Sequence, residues 1–107
     1  MEVFNIRDLY REKYREYILG SAELGKHSVY LVYGEVSCDE ERTMAPEGHD
    51  EILFILEGRA ELKSRTDNII MSKEQAVYLN PSGSFTFKAL TDCRYIMAGA
   101  HATPHEH

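Results

Sequence analysis

The sequence predicts an all-β domain, a sandwich or closed barrel, with a short helix at its N-terminus. Three observations predict this: short apolar stretches at even spacing, turn residues between them, and a helical period confined to the start of the chain. At 107 residues the chain has the size of one domain with one core. We divide this single domain, residues 1–107, into an arm (1–25), a barrel (27–100) and a histidine-containing tail (101–107).

Composition and charge exclude several classes of function. The net charge is −6, and the basic residues near the N-terminus alternate with acidic ones, so we expect no nucleic-acid partner. No apolar run approaches the about 20 residues of a membrane-spanning helix, so we expect no membrane partner. The N-terminus lacks the apolar core of a signal peptide, which predicts a cytoplasmic protein. Cys38 and Cys93 are then expected to be reduced, buried and inert thiols.

The N-terminal arm carries the helical period. Between residues 5 and 18 apolar side chains recur at spacings of three and four, with charges between them, and Asn5 can cap the first turn. We therefore predict a short helix. Residues 14–19 also alternate between polar and apolar side chains, so a strand remains an alternative for that part.

The central stretch of the chain is residues 49–58, HDEILFILEG. Five apolar residues follow an acidic pair and end at Glu57 and Gly58, which is typical of a buried strand. Because side chains alternate along a strand, Glu51 should share the inward face of Leu53 and Ile55 and point into a pocket. Gly58 should adopt a backbone conformation that a branched residue cannot.

Further apolar stretches supply the other strands of the barrel. We predict a loop at residues 20–26 and a loop or bent strand at residues 37–48, beside the presumed pocket. Strands are predicted over residues 27–36, 59–64, 69–71, 76–80, 84–90 and 94–100.

The central stretch resembles the first motif of the cupin superfamily. In that motif a glycine is followed after five residues by HxH, then after three or four residues by a glutamate, and then after six residues by a glycine. Glu51 and Gly58 match the last interval. The HxH positions fall on Met44 and Pro46, or on residues 45 and 47 with the shorter spacing, so neither histidine is present.

The second cupin motif can be placed on residues 75–90. Pro81 and Gly83 match its PxG, whereas its histidine position falls on Thr86, or on Phe85 if the register shifts by one. The resemblance covers roughly residues 35–100. It implies a small cupin-like barrel, also described as a double-stranded β-helix or jelly roll.

The resemblance also implies what the pocket binds. Cupins commonly hold a metal with three histidines and a glutamate, and most of that set is missing here, so we expect neither a metal nor another cofactor. We predict instead a small organic ligand, or a partner, bound in the barrel. The candidate ligand-binding residues are Met44, His49, Glu51, Tyr78 and Thr86. Without a cation, Glu51 should be hydrated, kept neutral, or paired with a base such as His49 or Arg42.

A metal-dependent enzyme is the alternative function. His49 and Glu51 stand two residues apart and would share one strand face, and His101 could complete a relocated ligand set for an isomerase or dioxygenase. His105 and His107 in the tail can also bind zinc or nickel. The residues identify no substrate, so whether the protein is an enzyme stays open.

The resemblance further suggests that the barrel forms a homodimer. Single-domain cupins pair through their sheets, and a small barrel with seven tyrosines has edge strands and aromatic surface to cover.

Overall fold

A computed structural model describes residues 1–101 of the chain. It contains a 3-10 turn at Ile6–Asp8, a four-residue helix α1 at Ser21–Leu24, and ten strands. The strands are β1 (Tyr10–Arg11), β2 (Glu16–Leu19), β3 (Val29–Val36), β4 (Glu41–Met44), β5 (Asp50–Glu57), β6 (Ala60–Lys63), β7 (Asn68–Met71), β8 (Ala76–Leu79), β9 (Phe85–Ala89) and β10 (Cys93–Ala100).

The strands form two sheets with antiparallel pairing. One sheet has six strands in the order β1-β2-β3-β10-β5-β8, and the other has four in the order β4-β9-β6-β7. The all-β fold class predicted from the sequence is therefore confirmed. The central stretch forms β5, which lies between β10 and β8.

The predicted N-terminal helix is reduced to the 3-10 turn. Asn5 does cap it, accepting a hydrogen bond from the backbone N–H of Arg7 at 3.1 Å. Beyond the turn the chain forms β1 and β2, and β2 pairs with β3 in the register Tyr17 opposite Tyr33. Residues 16–19 thus adopt the strand alternative, because pairing with an open sheet edge outweighs a weak local helical preference.

The core lies between the inward faces of the two sheets. Leu53 and Ile55 of β5 are fully buried, as their alternation with exposed neighbours predicted, and they belong to the same apolar cluster as Phe87 of β9 and Leu62 of β6. The cavity described below lies around the first residues of β5.

Gly58 ends β5 in the conformation that the sequence predicted. Its φ is +89°, which lies in a region of backbone conformation that residues other than glycine rarely adopt. A Cβ placed there would overlap the backbone oxygen of Asp92 and lie 2.9 Å from both Cys93 Sγ and Thr91 Oγ1. The turn after β5 therefore packs directly on the turn before β10.

Within residues 1–101 no helix has the length and apolar character needed to cross a membrane. The two cysteines are free thiols in different surroundings. Cys93 is buried, as expected, whereas Cys38 is exposed, which corrects the expectation for that residue, because it lies in the polar turn between β3 and β4.

Candidate functional site

Two adjoining cavities open between the six-stranded sheet and β4. Their volumes are about 610 Å³ and 730 Å³, and we call them the first and second lobes of one site. The first lobe extends toward Arg42 and Tyr95, and the second toward His49 and His101. The lobes share six lining residues: Tyr14, Ile18, Val32, Ala45, Glu47 and Glu51.

Glu51 lies where the two lobes meet. It is the first inward-facing residue of β5, and its side chain is only 8% exposed, so the predicted orientation into a pocket is confirmed. The hydrogen-bond partner of Glu51 is not one of the two bases named from the sequence. Glu51 Oε2 accepts a hydrogen bond from the hydroxyl of Tyr30, rather than pairing with His49 or Arg42.

Gly99 makes the contact between Tyr30 and Glu51 possible. Tyr30 on β3, Gly99 on β10 and Glu51 on β5 stand in one row across three neighbouring strands. A Cβ on Gly99 would overlap the Tyr30 ring. Because this position has no side chain, the ring can lie across β10 and reach the carboxylate two strands away.

A second row repeats this arrangement, with the tyrosine on β10 and the glycine on β3. Tyr95 on β10 lies across Gly34 on β3 and donates its hydroxyl hydrogen bond to Glu16 Oε2 on β2. The two rows place two glutamates on the inward face of one sheet, on either side of the β3 and β10 pair. Glu16 lines the first lobe only.

Burial controls the protonation of these groups. The pKa of Tyr30 and that of Tyr95 are both raised above the ordinary tyrosine value, first by burial and then by the adjacent carboxylate, so both hydroxyls stay protonated and act as donors. Burial also raises the pKa of Glu16. Tyr95 and Arg42 oppose that increase, and the charge of Glu51 adds to it.

Arg42 forms one wall of the first lobe. Its Nη2 donates to the backbone oxygen of Glu35 at 2.7 Å, and its Nη1 lies 3.5 Å from the hydroxyl oxygen of Tyr95. Its Nε is buried and has no hydrogen-bond partner among residues 1–101. The guanidinium thus places positive charge beside Glu16.

His49 and His101 lie together in the second lobe. His49 Nδ1 donates to the backbone oxygen of Pro46 at 2.8 Å, which leaves Nε2 as the nitrogen free to accept. The His49 ring centroid lies 5.1 Å from that of His101 and 5.6 Å from that of Tyr30. His105 and His107 lie outside the described residues.

No group of three or more His, Cys, Asp or Glu side chains within residues 1–101 is arranged to hold a metal ion. The positions where the cupin motif has histidines are taken by Met44, which is 6% exposed, and by the buried Pro46. Neither a thioether nor a proline ring is a good ligand for zinc, iron or manganese.

Three of the five predicted ligand-binding residues line the site, and two do not. Met44 lines the first lobe, His49 the second and Glu51 both. Tyr78 is instead 56% exposed on the outer face of β8 and donates to Asp50 Oδ1 at 2.6 Å. Thr86 neighbours the fully buried Phe87 on β9 and therefore faces outward.

Tyr30, Tyr95 and Glu16 were not recognised as site residues from the sequence, and Arg42 was named only as a possible partner of Glu51. The tyrosine and glutamate partners lie two strands apart, and no local sequence pattern indicates such a contact. Glycines within predicted strands were the available signal, because a glycine there often marks a close approach by another group.

Comparison with known proteins agrees on the fold. Neither family models nor curated protein sequences match the chain. Among solved structures, ectoine synthase from P. lautus superimposes with a TM-score of 0.76 and 14% identity, covering 94% of this chain and 78% of that one. A cupin 2 conserved barrel domain protein from Salinispora arenicola CNS-205 gives 0.75 and 18%, covering 95% and 90%.

The cupin domain of Cnp3 from Schizosaccharomyces pombe gives a TM-score of 0.73 and 14% identity, covering 94% of this chain and 69% of that one. The protein is therefore an all-β domain with the small barrel fold of the cupin superfamily, and the resemblance read from the sequence is confirmed at the level of the fold. At these identities the similarity carries no activity over to this chain.

Proposed function

We propose that this protein is a cupin-fold binding domain that lacks the metal-binding histidines and holds a small organic ligand in the two-lobed cavity. The observation that supports this most directly is the position of Glu51. It is a buried carboxylate at the junction of two cavities of several hundred Å³ each, a size typical of small-molecule sites. A cytoplasmic setting, in which both thiols stay reduced, is part of the proposal.

The chemistry of the lining fits an organic ligand. Apolar side chains such as Val32 and Met97 line the first lobe beside charged ones such as Lys13. The two Tyr and Glu pairs are held in fixed directions by their hydrogen bonds, and directed polar groups beside apolar walls orient a small molecule. Arg42 adds positive charge to the lining of the first lobe.

A thermal-shift screen of small organic molecules tests this proposal. Ile18 lines both lobes, so Ile18→Trp should narrow the whole site. Ile70 is 47% exposed on β7 and does not line the site, so Ile70→Trp is the matched control. A ligand of the cavity should stabilise the wild type and Ile70→Trp but not Ile18→Trp. If no compound behaves in this way, the proposed function is wrong.

A metal-dependent enzyme is the second candidate, and the contact between His49 and His101 favours it. Two histidine rings 5.1 Å apart in the lobe that contains Glu51 could supply part of a metal site. Elemental analysis of protein purified without an affinity tag or chelator separates the candidates. Near-stoichiometric metal that disappears in Glu51→Ala but persists when residues 102–107 are deleted would support the enzyme and contradict the metal-free cavity.

We also propose that the protein forms a homodimer through the outer face of the six-stranded sheet. Leu31, Ala98, Ile52 and Tyr78 stand in one row across β3, β10, β5 and β8, on the face opposite the cavity. Ile52 is 50% exposed. A row of exposed apolar residues at the middle of a sheet suits a two-fold interface, in which the same surface meets itself.

A further inference from the structure

We propose that the second lobe binds an organic cation, specifically an aliphatic amine in its ammonium form, with the nitrogen at the carboxylate of Glu51. This inference rests on the proposed function, since it names the class of ligand that the cavity takes. It rests on three features of the second lobe: its charged residues, the hydrogen bonding of Glu51, and its apolar and aromatic walls.

The charges of the second lobe are the first observation. Glu47 and Glu51 line it together with His27, His49 and His101, and no Lys or Arg is among its lining residues within the described part of the chain. Likewise, none of the ion pairs formed within residues 1–101 involves Glu51. Glu51 is only 8% exposed, and burying a carboxylate without an ion-pair partner costs free energy that a cationic ligand would offset.

The hydrogen bonding of Glu51 is the second observation. Tyr30 donates to Oε2, and within residues 1–101 no donor contacts Oε1. The tyrosine therefore holds the carboxylate in one orientation and leaves its other oxygen facing the cavity. An ammonium group has donors and no acceptor, so it can satisfy this oxygen where a carboxylate or phosphate ligand would be repelled.

The walls of the second lobe suit the rest of such a ligand. Ile18, Val32 and Ala45 provide an apolar surface for an alkyl chain. The rings of Tyr14 and Tyr30 line the same lobe, and aromatic faces attract cations. The first lobe differs, because Lys13, Arg15 and Arg42 are among its lining residues, so we place the ammonium group in the second lobe.

Isothermal titration with three matched probes tests the inference: n-butylammonium, n-butanol and n-butyrate, at pH 8, where an aliphatic amine is still protonated. The wild type should bind n-butylammonium at least about tenfold more tightly than either other probe. Glu51→Gln keeps an acceptor for Tyr30 but removes the charge, so it should weaken the binding of n-butylammonium by about tenfold or more. Glu57→Gln removes a charge from the exposed end of the same strand and should have little effect.

Three results would overturn the inference: n-butanol or n-butyrate binding as tightly as n-butylammonium, Glu51→Gln binding the amine as well as the wild type, or no binding of n-butylammonium. These results are distinguishable from failure of the proposed function. Suppose that n-butylammonium fails these tests, but a neutral or anionic compound from the screen stabilises the wild type and not Ile18→Trp. The cavity would then still be a ligand site, and only the inference of a cationic ligand would be rejected. A screen in which no compound of any charge, amines included, loses its effect in Ile18→Trp would reject both proposals.

Discussion

Replacing Gly58 with alanine should destabilise the fold through two separate effects. The first is backbone strain, because φ at Gly58 is +89° and an L-residue in the left-handed region costs about 1–2 kcal/mol. The second is steric, because the new Cβ would overlap the carbonyl oxygen of Asp92 and lie 2.9 Å from Cys93 Sγ and Thr91 Oγ1. Overpacking of this kind costs about 1–3 kcal/mol.

The two effects together predict a loss of about 2–5 kcal/mol in the free energy of unfolding. The obstructing atom is part of the backbone, at the turn that leads into β10, so it cannot move aside as a flexible side chain could. Two hydrogen bonds also fix this turn: Arg59 N donates to Thr91 Oγ1 at 3.0 Å and Leu90 N to Arg59 O at 2.8 Å. We therefore expect little relaxation.

Gly48 provides a matched control. Its φ is +87°, nearly that of Gly58, but a Cβ there would meet no atom within 4 Å. Gly48→Ala should therefore show the backbone strain alone, and the entropy that alanine removes from the unfolded chain should be similar for both variants. The difference between Gly58→Ala and Gly48→Ala should then be the steric effect, about 1–3 kcal/mol.

Urea unfolding followed by far-UV circular dichroism measures both variants, since the chain has no tryptophan to report by fluorescence. The slope with urea should stay the same while the midpoint falls, because the surface exposed on unfolding is unchanged. Equal losses in the two variants would show that the close contact with the Asp92 carbonyl oxygen relaxes at no cost, and would refute the steric argument.

Four further predictions concern charge, assembly and thiol reactivity. Because burial raises the pKa of Glu16, the wild type should lose stability relative to Glu16→Gln as pH rises from 4.5 through the raised pKa. A hydrogen bond from Arg7 lowers the pKa of Glu35, so the wild type should be more stable than Glu35→Gln above pH 4.5 and should lose that extra stability as pH falls through the lowered pKa. Urea unfolding measured across pH tests both variants, and a stability difference from the wild type that does not change with pH would contradict the prediction for that variant. Light scattering should give a dimer for the wild type and a monomer for Ala98→Glu, and a wild-type monomer at micromolar concentration would count against the interface. A thiol reagent should modify Cys38 in the folded protein and Cys93 only after unfolding, and rapid labelling of both in native conditions would be inconsistent with the structure.

The sequence by itself determined the strands whose pattern is local. Alternation of apolar side chains placed Leu53, Ile55 and Glu51 on one face of β5, and the turn residues separated the later strands. It also identified Gly58 as a special position, since a glycine that ends a buried strand often needs a positive φ. These features depend on neighbours within a few residues, which a sequence displays directly.

The tertiary structure alone decided the N-terminal arm. Residues 5–18 satisfy a helical period, yet Tyr17 and Ile18 belong to a strand because β3 offers an unpaired edge. The spacing of apolar residues supports both structures. Pairing with a strand distant in sequence selected one of them, and local propensity is too weak to resist it.

The site was likewise only partly readable from the sequence. Glu51 and His49 were found because they stand two residues apart at the start of the central stretch. The Tyr30 and Glu51 pair and the Tyr95 and Glu16 pair instead join residues 21 and 79 positions apart. Each contact crosses a glycine on the strand between. Which strands become neighbours is set by burial of the whole core, so the partners of a buried carboxylate are decided only when the sheets assemble.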